Sequence, residues 1–215
     1  MKMPRKQIAI IGGADENRTY DPPVTDADGA ITTARFIGGA LAKAGYCMIV
    51  YASERIEKSA VEGFLKENPP PKSIIVLSPR TENVPKGFSQ FGTNRAAFDP
   101  QTLSGERWGL SFYRSVSDAN GLALIGGGRF TFTIGMLALT SRIPLVACAA
   151  FGGAAGSIWE ALKDGKGLAE SQDVNQMAQN GSPEMARACI ESLKAQMKRK
   201  SVAAAASAKE RCLSP

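Results

Sequence analysis

Histidine is absent from this 215-residue chain. Its absence removes Ser–His, Cys–His and histidine general-base mechanisms and leaves any catalysis to carboxylates, lysine, tyrosine, serine or threonine. Cysteine is sparse. Cys47, Cys148, Cys189 and Cys212 form no C-x-x-C pair and lie far apart, so without histidine a structural zinc site has no ligand set. Neither a metal nor a cofactor is expected. No apolar run approaches the roughly 18–20 residues that span a membrane. The basic start, Met1–Lys6, leads into a short apolar run and then Gly12–Gly13, which reads as a strand and turn rather than a signal peptide. A reducing, cytoplasmic location with no membrane partner is the expectation. Two phosphate-binding signatures are also missing. No G-x-G-x-x-G follows the first strand, and no Gly-Lys-Ser/Thr occurs, which argues against a dinucleotide fingerprint and an ordinary ATPase or GTPase.

What is present suits one globular domain with an added tail. Hydrophobic residues make up 44% and charged residues 21% of the chain, enough to bury one sizeable core. The net charge of +6 suits an anionic ligand, nucleic acid or plain solubility alike. Lys194, Lys198, Arg199 and Lys200 crowd the end of a predicted helix, where the helix dipole favours cations.

Strands and helices alternate along the chain. Gln7–Ile11, Cys47–Tyr51, Ser73–Leu77, Gly121–Ile125 and Ile143–Ala149 read as buried strands. Helices are expected near Ala30–Ala44, where apolar residues fall at spacings of three and four, and near Ile56–Glu67, Gly105–Ala119, Thr133–Thr140, Ser157–Leu162 and Pro183–Lys200. Continuous apolar strands between helices predict an α/β fold, a Rossmann-like doubly wound parallel sheet in three layers. The stretch Ser78–Thr102 reads as a long loop, functional or disordered, with Phe88, Phe91 and Phe98 pointing to order as a lid or an oligomer contact. Residues 1–182 are expected to form the ligand-binding domain and 183–200 a C-terminal helix. Residues 201–215 read as a tail or a cut linker, the latter implying a missing effector domain.

Three strands end in glycine-rich or small-residue loops: Gly12–Gly13, Gly126–Gly127–Gly128 and Gly152–Gly153. Ligands of parallel α/β sheets sit at strand carboxyl ends, and glycine lets the backbone approach a phosphate. Arg129 adds a cation and Thr131 a hydroxyl beside a helix start whose N–H groups favour anions. The same glycines would also serve tight turns alone. Ser53, at the end of strand two, is a further hydroxyl donor.

The segment Asp118–Leu162, with Gly127–Gly128–Arg129–Phe130–Thr131, Gly135, Ala138 and Pro144, resembles the SLOG superfamily. That superfamily includes the "lonely guy" cytokinin-activating hydrolases, DprA-like proteins and prokaryotic sensor domains. Ile10–Gly13, Leu41–Gly45 and Tyr51–Phe64, the last resembling sensor-type members, extend the resemblance over Gln7–Leu162. It implies a nucleotide-type ligand and a homodimer or higher homo-oligomer. For the sensor branch it implies ADP-ribose-like or cyclic nucleotide second messengers in antiviral defence. The hydrolases carry a loop resembling PGG-x-GT-x-x-E. Here Phe130 replaces a glycine, and the glutamate positions fall at Thr133 and Ile134. The departure favours sensing over phosphoribohydrolase activity. A hydrolase or transferase acting at a nucleotide's N-glycosidic bond is the alternative, with Glu57 or Glu160 as the carboxylate. DNA binding is the less favoured third reading.

Other residues keep two readings each. Glu57 and Glu54 could meet a ribose or only favour a helix dipole. Asp15 and Glu16 could bind a hydroxyl or a base edge, and Arg35 could reach a phosphate or stay solvated. Trp108 and Phe112, four apart on one predicted helix, could pack in the core, at a dimer interface or against a base. Trp159 reads as core.

Overall fold

The computed structural model describes residues 5–51, 55–78, 88–102, 112–113 and 116–213, with side chains as far as residue 205. Six strands form one sheet: β1 (Gln7–Gly13), β2 (Cys47–Val50), β3 (Ile74–Ser78), β4 (Phe98–Thr102), β5 (Gly121–Gly126) and β6 (Leu145–Cys148). Their order is β4-β3-β2-β1-β5-β6 and every neighbouring pair is parallel. β2, β3, β5 and β6 are buried along their whole length, and so is most of β1. Helices on both faces demand this of a parallel sheet. The chain winds outward from β1 to β4 and then returns to β5 on the other side of β1. The order therefore reverses between β1 and β5, and the register sets Gly13 opposite Gly126 at the carboxyl ends of the two strands. A crevice opens at such a reversal.

β4 falls inside the stretch expected to be a loop, where Asp99 and Pro100 contradict a strand pattern. The sheet order makes β4 an edge strand whose one neighbour is β3, with Pro100 opposite Val76. A residue without an N–H is tolerated at an edge.

Among the described residues run the α-helices α1 (Ala27–Lys43), α2 (Arg55–Leu65), α3 (Arg129–Thr140), α4 (Gly153–Lys163), α5 (Ser171–Met177) and α6 (Pro183–Leu213). α1 starts earlier than expected because Asp26 caps it, accepting the Gly29 N–H at 2.8 Å. α1 and α2 pack almost backbone to backbone. A β-carbon on Gly38 would overlap the Ala60 carbonyl oxygen, and one on Gly63 the Arg35 carbonyl oxygen. The Ser59 hydroxyl donates to the Ile31 carbonyl across the same seam at 2.7 Å. Arg35, weighed as a phosphate contact, is paired with Glu62 at 2.9 Å.

α5 was not expected. The Trp159 indole N–H donates to the Val174 carbonyl at 2.7 Å and ties α5 to α4. α6 does not stop at Lys200 but runs on to Leu213, because Ala203–Ala206 are strong helix formers. Val202–Ala205 are exposed. Within the basic cluster, Arg199 meets Glu170 at 2.6 Å and Lys194 meets Glu191 at 3.4 Å.

α6 also closes the other edge of the sheet. Gln196 is fully buried. Its Oε1 accepts the Leu145 N–H at 2.8 Å, and its Nε2 donates to the Leu145 carbonyl at 2.9 Å. One side-chain amide thus replaces a neighbouring strand for that residue. Cys47, Cys148 and Cys189 are buried free thiols, consistent with hydrophobic packing.

Candidate functional site

The glycine loop between β5 and α3 is held from two sides. Gly127 N–H donates to the Gly13 carbonyl at 2.8 Å, which couples the first loop to the second. From behind, Ala154 N–H donates to the Gly127 carbonyl and Gly153 N–H to the Pro23 carbonyl, both at 2.8 Å. Gly127 has φ of 79°, and a β-carbon on it would overlap the Thr131 hydroxyl. Only glycine satisfies both conditions. Gly128 is the N-cap of α3 and supplies no capping side chain.

α3 starts at Arg129, not at the expected Thr133, because the chain is already helical when it leaves Gly128. Arg129, Phe130 and Thr131 are therefore its first turn. The intrahelical bonds begin with Phe132 N–H to the Gly128 carbonyl at 3.0 Å. The N–H groups before it have no partner inside the helix and lie at its positive end. Arg129 is exposed and forms no ion pair among the described residues. Thr131 is buried against Gly127.

A cavity of about 420 Å³ lies over this helix end. Gly12 and Gly13 form its floor on one side, and Gly127, Gly128, Arg129 and Thr131 on the other. The loop after β1 adds Arg18, Thr19 and Tyr20. Tyr20 lies close to Gly13 and Gly128, and its hydroxyl accepts the Asp15 N–H at 2.9 Å. Tyr51, Phe112 and Phe130 form an aromatic wall. The centroid separations are 4.2 Å for Tyr51–Phe112 and 4.6 Å for Phe112–Phe130.

Glu57 also lines the cavity. It is 5% exposed, sits in the first turn of α2, and its Oε1 accepts the Tyr51 N–H at 3.1 Å. A buried carboxylate is expensive unless hydrogen-bonded, and this bond helps to hold it at the end of β2. The site thus combines a cationic helix end, a carboxylate and an aromatic wall. Such a set can bind an anion joined to a polar linker and a planar ring.

The remaining sequence-derived residues fall elsewhere. Gly126, with φ of 60°, turns the chain without lining the cavity. Gly152, Gly153, Trp159 and Glu160 line a second cavity of about 400 Å³. Glu160 is exposed, 3.7 Å from Lys163. Asp15 closes a turn by accepting the Asn17 N–H at 3.0 Å, and Glu16 pairs with Arg55 at 2.6 Å; neither lines the main cavity. Ser53, Glu54 and Trp108 lie outside the described residues. The sequence reading missed Arg18, Thr19, Tyr20 and Tyr51. The first three stand in a polar loop with no periodicity to mark a buried face. Phe130 was visible only as a departure from a glycine pattern.

Fold and site together define an all-parallel α/β protein of Rossmann-like topology with a glycine-lined crevice at its strand-order reversal. No protein-family model matches the sequence, and no curated protein matches it. Solved structures do match the fold. A molybdenum cofactor binding protein from the phototrophic bacterium Rippkaea orientalis is similar at 17% identity and a TM-score of 0.57, over 90% of this chain and 98% of that one. The molybdenum cofactor carrier protein of Chlamydomonas reinhardtii is similar at 17% identity and 0.57, over 89% and 99%. The structural-genomics target TM1055 is similar at 19% identity and 0.59, over 86% and 98%. At these identities the likeness is one of fold, the α/β Rossmann-like fold expected from the alternating strands and helices. Among the described residues no helix is long and apolar enough to cross a membrane.

Proposed function

We propose that the chain binds a nucleotide-derived ligand in the 420 Å³ cavity, with a phosphate over Gly127, Gly128, Arg129 and Thr131. The observation that carries this reading is the helix end itself. It offers N–H groups without a partner inside the helix, a glycine approach and an arginine outside any ion pair among the described residues, all at the strand-order reversal. Gly12 and Gly13 let the ligand approach from the β1 side, and Glu57 stands where a sugar hydroxyl would reach a carboxylate. Arg129→Ala is expected to weaken binding by about 1.5–3 kcal/mol, roughly 10- to 150-fold, as befits a lost charge-assisted phosphate contact. Isothermal titration with AMP, ADP-ribose-type and cyclic nucleotides and molybdenum cofactor measures it. An unchanged affinity removes Arg129 from the site.

Sensing is favoured over turnover because no carboxylate stands where the hydrolase motif would put one. Thr133 is exposed, with its hydroxyl donating to the Arg129 carbonyl at 2.9 Å, and Ile134 is fully buried. The ligand would be an ADP-ribose-like or cyclic nucleotide signal of the kind sensor-type SLOG domains bind in antiviral defence. It would act by preferring one of two states of a homo-oligomer or of an attached effector domain.

The buried Glu57 in the same cavity supports a second reading, hydrolysis of a nucleotide's N-glycosidic bond. Incubation with AMP or NAD and chromatography for free base decides between them. Under the sensing reading no base is released. Under the second reading base appears with the native chain, and Glu57→Gln slows its release by at least about 100-fold.

A further inference from the structure

Phe130 occupies an unusual position for a large apolar side chain. It stands in the first turn of α3, 47% exposed, while Phe112 behind it is 2% exposed. The two ring centroids are 4.6 Å apart with the planes tilted by 49°. Phe112 in turn packs on Tyr51 at 4.2 Å. The buried pair therefore fixes one side of the Phe130 ring, while the ring also borders the cavity. Phe132, two residues on, is 40% exposed but does not line the cavity. An aromatic face exposed at the border of a cavity is open to stacking by a planar ligand.

We infer that Phe130 is the specificity-determining residue of the site, a stacking platform that selects ligands carrying a purine-sized planar ring. The inference rests on the reading that a phosphate occupies the α3 helix end. Arg129 and Phe130 are consecutive, so one helical turn reads both ends of the ligand. The helix N–H groups and Arg129 take the phosphate, and Phe130, backed by Phe112, takes the ring face. A ring stacked on an aromatic side chain gains area burial and favourable quadrupole geometry without a specific hydrogen-bond pattern. The platform therefore selects for ring size and planarity.

The test compares native protein, Phe130→Ala and Phe130→Trp by titration with AMP, GMP and ribose 5-phosphate, which has the phosphate and sugar but no ring. The expected result is AMP or GMP binding about 5- to 100-fold weaker in Phe130→Ala and retained in Phe130→Trp, with ribose 5-phosphate unchanged throughout. Equal purine-nucleotide affinity in the native protein and Phe130→Ala overturns the platform. So does an equal loss for ribose 5-phosphate, since Phe130 would then shape the phosphate loop. If none of the three probes binds the native protein, the phosphate reading fails, and the platform with it. A melting temperature measured for each variant keeps a folding defect distinct from a binding one.

Discussion

Gly127→Ala is expected to destabilise the protein by about 2–5 kcal/mol and, under the proposed function, to weaken phosphate-ligand binding at least tenfold. Two effects add. A φ of 79° places an alanine in the left-handed region, at a strain of about 1–2 kcal/mol. The new methyl group would also overlap the Thr131 hydroxyl and stand 2.7 Å from its β-carbon. Thr131 is buried and stiff at χ1, so the loop must move instead, at a further cost of about 1–3 kcal/mol. That movement would stretch the 2.8 Å bond from Gly127 N–H to the Gly13 carbonyl and misalign the N–H groups proposed to meet the phosphate. Urea unfolding and phosphate-ligand titration on the same variant measure both parts. Stability within about 0.5 kcal/mol of native would show that the loop relaxes freely and that Gly127 is not constrained as argued.

Gly63→Leu is expected to be more damaging, lowering stability by at least about 4 kcal/mol or preventing folding. Gly63 lies where α2 crosses α1. A β-carbon there would overlap the Arg35 carbonyl oxygen and stand 2.7 Å from its carbon. The obstacle is backbone, so no rotamer change relieves it, and the helices must separate. Separation would open the seam held by the Ser59–Ile31 hydrogen bond and pull apart the buried Ala34, Ile37, Ala60 and Phe64. It would also shift Glu57 at the start of the same helix. Circular dichroism and denaturant titration report the outcome. A cooperative unfolding curve within about 1 kcal/mol of native would refute the close crossing.

These two glycines differ in how far the sequence exposes them. Gly127 belongs to a visible triplet at the end of an apolar run, and its place near a ligand could be proposed directly. Gly63 lies inside an amphipathic helix pattern and looks like a minor weakness there. Its importance depends on which helix crosses at that height. The carboxylates divide similarly. Glu57 and Glu160 each follow a strand by a short interval and looked equivalent as candidates. The fold buries Glu57 in the main cavity beside the end of β2 and leaves Glu160 exposed at the second one.

Strand β4 and the C-terminal helix mark where local pattern misleads. Asp99 and Pro100 are poor strand residues, yet pairing with β3 on one side is enough to hold them at an edge. The residues after Lys200 offer little to a core, yet alanine continues a helix already nucleated and anchored by packing upstream.

The sequence by itself determined the fold class. Alternating apolar runs and helical periods record which backbone segments are buried, and burial is a local property of the pattern. It also showed that glycine lies at or soon after the ends of three strands and that this chain supplies no histidine. Only the tertiary structure decided which of those loops share one cavity. Strand order set Gly13 beside Gly126 across the reversal, so the first two loops face each other and the third braces them from behind. It likewise brought Tyr20, Tyr51, Glu57, Phe112 and Phe130 to one cavity from five separate segments. Such convergence depends on register and helix crossing, which arise from contacts between residues distant in sequence and leave no periodic trace along it.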